Sequence, residues 1–330
     1  MIMIKKLIII FLTVLFLNNY ELKAQDPSFS QFYANSLYLN PALAGSTKCP
    51  RFSLNFRDQY PNLQHTYITS SISFDKQIKQ GGVGLMLYND NQNSGSLNTI
   101  NISGIYSYSL NVTKKFSIRT GFQASYIQQS INTNNMVFSD MIDEMYGTVK
   151  QTNENLNTLN NQISIFDLSV GAIGFSKNYY VGFAVHHLTK PPQSLRDAND
   201  SYLPRKYTLH AGLNIPIKGL NVKSGEMSVS PAIVFQQQDN MQQITYGSYL
   251  RRLSLMAGVF VRHNLKLDYD SFIMMLGFDL TKFKIAYSYD LTMSKLLSKT
   301  LGAHEISISA ELNCNQKKKK FKTINCPTFS

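Results

Sequence analysis

Apolar and polar residues alternate along most of this chain, starting near residue 50. Residues 116–126, with the sequence FSIRTGFQASY, show the pattern most clearly. The apolar positions are Phe116, Ile118, Phe122, Ala124 and Tyr126, and the polar positions are Ser117, Arg119, Gln123 and Ser125. Because successive side chains of a strand point to opposite faces, this alternation predicts a strand with one apolar and one polar face.

About fourteen such segments follow one another, separated by gaps rich in turn-forming residues. We pair them as consecutive hairpins: 51–57 with 65–74, 82–90 with 97–110, 115–131 with 163–176, 179–188 with 205–215, 226–237 with 242–251, 253–263 with 271–280, and 283–292 with 303–313. An even number of strands is typical of closed outer-membrane barrels. The sequence therefore predicts an all-β fold, a transmembrane antiparallel β-barrel of the outer membrane with lipid outside and a polar lumen inside.

The gaps between the predicted strands alternate between long and short. The long gaps include 132–162, 189–204, 264–270 and 293–302, and the short ones include 111–114, 177–178 and 281–282. Outer-membrane barrels have longer loops outside the cell and short turns in the periplasm. The alternation therefore predicts that both chain termini are periplasmic, although the gap 216–225 is longer than expected on the periplasmic side.

The first 24 residues have the features of a secretory signal peptide. Lys5 and Lys6 precede an apolar run over residues 7–17, and Ala24 is a small residue suited to cleavage before Gln25. The run is too short to span a bilayer of about 30 Å as a helix. We therefore divide the chain into a signal peptide (1–24), an N-terminal periplasmic or plug-like segment (25–50), the barrel (51–313) and a basic periplasmic C-terminal tail (314–330).

Residues 25–50 combine aromatic residues with turn formers. The candidate contact residues are Phe29, Phe32, Tyr33, Tyr38, Asn40 and Pro41. Asn40, which precedes a proline, is restricted to extended or turn geometry, and Gly45 permits a tight bend. The segment either seals one mouth of the barrel by packing against its wall or recognises a partner.

Lysines at positions 317–320 and 322 of the tail supply five charges of the formal net charge of +12, and the rest is spread thinly along the chain. The candidate contact residues of the tail are Lys317, Lys318, Lys319, Lys320, Pro327 and Phe329. The tail is interpreted as a solvated extension, as a docking peptide for an acidic periplasmic partner, or as a contact to anionic lipid headgroups or peptidoglycan. The predicted export and the absence of an RNA-binding motif argue against nucleic acid as a partner.

Two sequence motifs resemble one known family. The predicted mature start, QDPSFSQFYANSLYLNPALAG, and the ending Cys326-Pro327-Thr328-Phe329 after a lysine run resemble the PorP/SprF family of type IX secretion system outer-membrane proteins. The resemblance implies an outer-membrane barrel in a Bacteroidota-type envelope that works with the secretion and gliding machinery. It implies three partners: a cognate adhesin with a C-terminal sorting domain, periplasmic secretion or gliding components, and outer-membrane lipid.

The chain contains three cysteines, Cys49, Cys314 and Cys326. Cys49 precedes the first predicted strand and Cys314 follows the last, and these strands are neighbours in a closed barrel. A Cys49–Cys314 disulfide would join the seam, whereas a Cys314–Cys326 disulfide would fold the tail back.

Enzymatic chemistry finds little support in the sequence. The motifs G-x-S-x-G and H-E-x-x-H do not occur, and His186, His187, His210, His263 and His304 are interpreted as ordinary strand residues. We therefore expect no enzyme and no cofactor or metal. The leading hypothesis is a non-enzymatic barrel subunit of a secretion or adhesin-assembly machine. The alternatives are a porin-like channel or transporter and a soluble exported β-sandwich.

Overall fold

The computed structural model describes residues 25–63, 66–133, 136, 138–143, 147–148, 152–153, 161–194, 201–217, 227–280, 282–293 and 300–312. Within these ranges lie fourteen strands of eight or more residues. They are β1 (Arg51–Gln59), β2 (Tyr67–Ile78), β3 (Gly81–Gln92), β4 (Leu97–Asn111), β5 (Ser117–Ile131), β6 (Gln162–Phe175), β7 (Tyr179–His186), β8 (Lys206–Leu213), β9 (Met227–Gln238), β10 (Met241–Arg252), β11 (Leu255–His263), β12 (Tyr269–Asp279), β13 (Phe283–Thr292) and β14 (Ala303–Glu311).

The remaining elements are short. They comprise α1 (Ser36–Leu39), the 3-10 turns Pro41–Leu43, Asn93–Gly95 and Ser139–Met141, a two-stranded pair of Ile142–Asp143 with Gly147–Thr148, and Ile215–Pro216, which extends the pairing of β8 along β9. No helix in the described ranges has the length and apolar character needed to cross a bilayer.

The fourteen strands form one closed antiparallel barrel. Each strand pairs with the next along the chain, and β1 closes the ring against β14 from Arg51↔Glu311 to Gln59↔Ala303. The predicted hairpins and the predicted strand number are therefore confirmed. Several boundaries shift by up to four residues, as at β2, which spans Tyr67–Ile78 rather than 65–74. At β7 the strand ends at His186 rather than residue 188, because His187 has a φ of 56° that leaves the extended conformation.

The barrel wall is apolar outside and polar inside. In β5, Phe122 and Tyr126 are each 46% exposed, whereas Arg119 and Gln123 are 3% and 4% exposed. Apolar side chains on the outer face and buried polar side chains on the inner face are the reverse of a soluble sandwich and the pattern of a barrel in lipid. The predicted lipid-facing exterior and polar lumen follow from this distribution.

The strand ends define two mouths. At the terminal mouth β1 begins, β14 ends, and the turns are short, as at 79–80, 176–178 and 253–254. At the loop mouth lie the longest connections, 132–161 and 187–205. The longer connection 214–226 stays the exception on the terminal side.

Residues 25–50 run through the bore from one mouth to the other. At the loop mouth, the backbone N–H of Asp26 donates to Gln238 Oε1, at the end of β9, over 3.0 Å. At the terminal mouth, the N–H of Gly45 donates to Asp75 Oδ2, near the end of β2, over 2.8 Å. Residue 25 therefore lies at the opposite end of the barrel from residue 51.

Candidate functional site

The N-terminal segment changes direction in the middle of the bore. After α1, Asn40 is extended (φ −159°, ψ 122°), as a residue before proline prefers to be. Its side chain accepts the N–H of Ala42 over 2.9 Å and so caps the 3-10 turn Pro41–Leu43. Gly45, with a φ of 63°, then bends the chain towards β1.

Four aromatic residues predicted as contact residues pack inside the barrel. The Phe32 ring lies 5.6 Å from that of Phe260 at 89°, and the Tyr33 ring lies 5.8 Å from that of Tyr249. Tyr38 stacks edge-on against Phe29 at 5.2 Å and Tyr88 at 5.6 Å. Such pairs add about 0.5–1.5 kcal/mol each beyond their buried area. The structure therefore places these rings on the barrel's own wall.

Asn40 and Pro41 lie in close contact with the inner wall of the barrel. The Asn40 side-chain amide donates to the carbonyl oxygens of Ala172 and Phe183, each at 3.2 Å, and lies 3.0 Å from His210 Nε2. A Cβ atom on Gly121 would lie 2.3 Å from the carbonyl carbon of Pro41. The wall therefore needs glycine here because the turn touches its backbone.

A central ion cluster, formed by Arg57, Arg262, Asp290 and Glu305, holds the segment near its start. Arg57 pairs with Asp290 at 2.9 Å and with Glu305 at 3.0 Å, and Arg262 pairs with Asp290 at 2.7 Å. Glu305 also accepts the backbone N–H groups of residues 30 and 31 over 2.7 and 3.0 Å. The cluster is neutral, and its spare acceptor capacity binds the segment's peptide groups.

A second group of charges, the histidine latch, consists of Asp26, Asp167, His187 and Lys206. His187 Nε2 lies 2.9 Å from Asp26 Oδ2, and its Nδ1 lies 3.0 Å from Asp167 Oδ2. Because both ring nitrogens face carboxylate oxygens, both must donate and the imidazole is positively charged. Lys206 Nζ adds a contact of 3.6 Å to Asp26 and lies 4.7 Å from the Tyr38 ring centre.

The electrostatics of the latch agree with this geometry. Burial lowers the pKa of His187, but the carboxylates of Asp26 and Asp167 outweigh it and raise the pKa to about 9. Burial raises the pKa of Asp26, but His187 and Lys206 outweigh it, so that its pKa falls below the ordinary value. The latch therefore fixes the first residues of the segment at the loop mouth.

Sequence reasoning missed two of these contacts. It treated His187 and His210 as ordinary strand residues, whereas His187 lies beyond β7 and His210 faces Asn40 from β8. The inward position of His210 could have been predicted from the alternation of β8, because Thr208 and His210 are two residues apart and share its inward face. The position of His187 could not have been predicted in this way.

The tail residues Lys317, Lys318, Lys319, Lys320, Pro327 and Phe329 lie outside the described residues. Cys49 is disulfide-bonded. Because Cys314 and Cys326 also lie outside the described part of the chain, the Cys49–Cys314 pairing stays a prediction. Within the described part, no three His, Cys, Asp or Glu side chains lie close enough together to hold a metal ion.

A family model gives the decisive comparison. Residues 21–310 match the family of type IX secretion system membrane proteins PorP/SprF. The chain belongs to this family. The family assignment made from the sequence is thereby confirmed, although the match ends before the C-terminal motif, and the protein is an outer-membrane barrel of the type IX secretion system rather than a member of an enzyme family. No curated protein matches this PorP/SprF chain.

Several solved structures are similar to this PorP/SprF barrel at low identity. The Ralstonia pickettii toluene transporter TbuX is 11% identical, with 84% of this chain and 92% of that chain covered and a TM-score of 0.47. The Pseudomonas putida toluene transporter TodX is 10% identical, with 84% and 93% covered and a TM-score of 0.47. A Pseudomonas aeruginosa FadL homologue is 12% identical, with 84% and 94% covered and a TM-score of 0.43.

Proposed function

We propose that this barrel is a non-enzymatic component of the type IX secretion and gliding machinery that assists the export or surface attachment of a cognate adhesin. The family match over residues 21–310 is the observation that carries the proposal. The adhesin bears a C-terminal sorting domain, and the barrel contacts that domain, periplasmic components of the machinery and outer-membrane lipid.

The orientation that we propose places the loop mouth outside the cell and the terminal mouth in the periplasm. The short turns at the terminal mouth support it, because outer-membrane barrels carry short turns on the periplasmic side. Residues 51 and 311 are then periplasmic, as expected from the sequence. Residue 25 lies at the external mouth, which differs from the expected periplasmic N-terminus.

In this function the N-terminal segment acts as a plug. Its support is the set of contacts that it makes around the ring, to Asp75 in β2, Ala172 in β6, Gln238 in β9 and Glu305 in β14. A filled bore argues against the porin-like alternative. Planar-bilayer recordings of the full chain should therefore show no persistent open channel, and a stable conductance of porin size would contradict the plug.

The main test measures the adhesin on the surface of cells. Deletion of the gene should abolish surface display of the cognate adhesin and leave other outer-membrane barrels at normal abundance. Re-expression of the intact chain should restore display. Normal display in the deletion strain would contradict the proposed function.

The basic tail is proposed to dock a periplasmic component. Deletion of residues 315–330 should leave a folded barrel, since the ring closes through β14, which ends at Glu311. It should abolish adhesin display, because the lysines no longer attract an acidic partner. The matched control replaces Lys317, Lys318, Lys319 and Lys320 with arginine and retains the charge. Unchanged display after the deletion would contradict the tail's role.

A further inference from the structure

A cavity of about 680 Å³ opens at the loop mouth, above the first residues of the segment. We call it the vestibule. Residues 25–28 form its floor, and its walls come from the loop-side ends of β1, β2, β3, β10, β11 and β12. Because the predicted mature chain begins at Gln25, the vestibule lies beside the predicted first residue of the N-terminal segment.

The vestibule is lined by amide, carboxylate and phenol groups. The wall amides are Gln59, Gln92, Gln242, Gln243 and Asn264, the wall carboxylates are Asp90, Asp268 and Asp270, the phenols are Tyr60, Tyr67 and Tyr269, and the imidazole of His263 also lines the cavity. Among its lining residues the guanidinium is that of Arg262, which already binds Asp290 at 2.7 Å and lies 3.6 Å from Asp270. The upper wall therefore carries a surplus of negative charge, and its rings offer faces for cations.

The bore shows how this wall recognises an extended polypeptide. Gln238 Oε1 accepts the N–H of Asp26 over 3.0 Å, and Gln243 Oε1 accepts the hydroxyl of Ser28 over 3.2 Å. Glu305 accepts the two backbone N–H groups of Ser30 and Gln31. Inward glutamine and carboxylate oxygens thus bind the segment's donors, and the vestibule continues the same kinds of groups beyond Gln25.

An unpaired acceptor beside the vestibule points the same way. A side cavity of about 60 Å³ shares Asp90 and Gln92 with the vestibule and is also lined by Gln129. Gln129 is 5% exposed, and its Oε1 has no hydrogen-bond partner among the described residues. A buried acceptor without a donor is unfavourable, so a ligand that brings an N–H group here would remove that cost.

We propose that the vestibule binds an extended, basic segment of a second polypeptide, aligned end to end with the protein's own N-terminal segment. Its backbone N–H groups bond to the glutamine and carboxylate oxygens, and its Lys or Arg side chains pair with Asp268 and Asp270 and stack on the phenol rings. The assignment of this polypeptide as the exported adhesin rests on the proposed function, whereas the binding itself does not.

The test uses purified full-length protein in detergent and fluorescein-labelled decapeptides. One peptide alternates Thr and Lys, and the other alternates Thr and Glu. Fluorescence anisotropy should show at least tenfold tighter binding of the Lys peptide, weakening as salt rises. The double variant Asp268→Asn/Asp270→Asn should weaken it about three- to tenfold, as expected for two partly exposed charge pairs.

The matched control is Asp279→Asn, because Asp279 carries a similar paired carboxylate at the terminal mouth, 3.6 Å from Arg251. This variant should bind the Lys peptide as the wild type does. Equal affinity for both peptides, no binding of either, an unaffected Asp268→Asn/Asp270→Asn variant, or displacement of the Lys peptide by maltohexaose would overturn the proposal. Adhesin display in the gene-deletion strain tests the proposed function separately, because it does not involve these peptides.

Discussion

A substitution at Gly121 tests the packing of the N-terminal segment against the barrel wall. Gly121 faces inward from β5, and a Cβ atom there would lie 2.3 Å from both the backbone nitrogen of Ala42 and the carbonyl carbon of Pro41. These are backbone atoms, so no rotamer change relieves the clash. Gly121→Ala therefore forces the turn Pro41–Leu43 away from the wall.

The magnitude follows from the distances. Carbon atoms in contact lie about 3.5–4.0 Å apart, so the turn must retreat by more than an ångström. That shift breaks the hydrogen bonds of Asn40 to Ala172 and Phe183, each 3.2 Å long. Overpacking costs about 1–3 kcal/mol, which raises the population of the displaced segment about 5- to 150-fold.

The assay is hydrogen exchange with mass spectrometry on the detergent-solubilised barrel. Peptides that cover residues 36–46 report the N–H groups of Leu43, Ala44 and Ser46, which bond to oxygens three residues earlier. Their exchange should accelerate by that factor in Gly121→Ala, while peptides from β1 and β14 keep their protection. The strands stay closed because their ladder hydrogen bonds do not involve the turn.

The neighbouring strand supplies a matched control. A Cβ atom added to Gly104 in β4 would meet no other atom within 4 Å, so Gly104→Ala should leave exchange over residues 36–46 at the wild-type rate. Unchanged exchange in a folded Gly121→Ala barrel, or equal acceleration in both variants, would refute the seating of the turn against β5.

Three further predictions concern the charges and the seam. The pKa of His187 is raised to about 9, so the latch stabilises the fold fully below about pH 6.5 and loses that contribution as the pH rises through 9. The melting temperature of the wild type should therefore fall more steeply between about pH 7 and 10 than that of His187→Gln. Parallel curves for the two proteins would contradict the latch. Arg57→Met should destabilise the barrel by about 3–5 kcal/mol in urea unfolding, because it leaves buried carboxylates short of a cation, and Arg57→Met/Glu305→Gln should recover part of the loss; additive effects would argue against the pair. Non-reducing peptide mapping should recover Cys49 linked to Cys314, whereas alkylation of all three cysteines without reductant would exclude the bond.

The strand series was predictable because a half-buried strand alternates apolar and polar residues with a period of two. Phe122 and Gln123 in β5 show this directly, and the even strand number then favoured closure. The path of the N-terminal segment was not predictable, because residues 25–50 contain no repeating period. Their aromatic residues indicated burial but not against which strands.

The ion cluster shows why the interior of the site escaped sequence reasoning. Arg57, Asp290 and Glu305 come from β1, β13 and β14, which meet only because the ring closes between the first and last strands. Their inward positions follow from strand parity, but their depth in the bore depends on the register. His187 was wrongly assigned to a strand, since one left-handed residue ends β7 and turns its ring towards Asp26.

The N-terminal segment is covalently continuous with β1 at Arg51, so the two mouths of the barrel are not equivalent for its release. If the first residues were drawn out past the loops, about nine residues of extended chain would still have to bridge the height of β1, because each adds about 3.3 Å. The bore can be emptied completely only when the whole N-terminal segment leaves through the terminal mouth, where it joins β1. With the loop mouth outside the cell, as proposed, a pull from outside would leave about nine residues across the bore, whereas a pull from the periplasm could empty it.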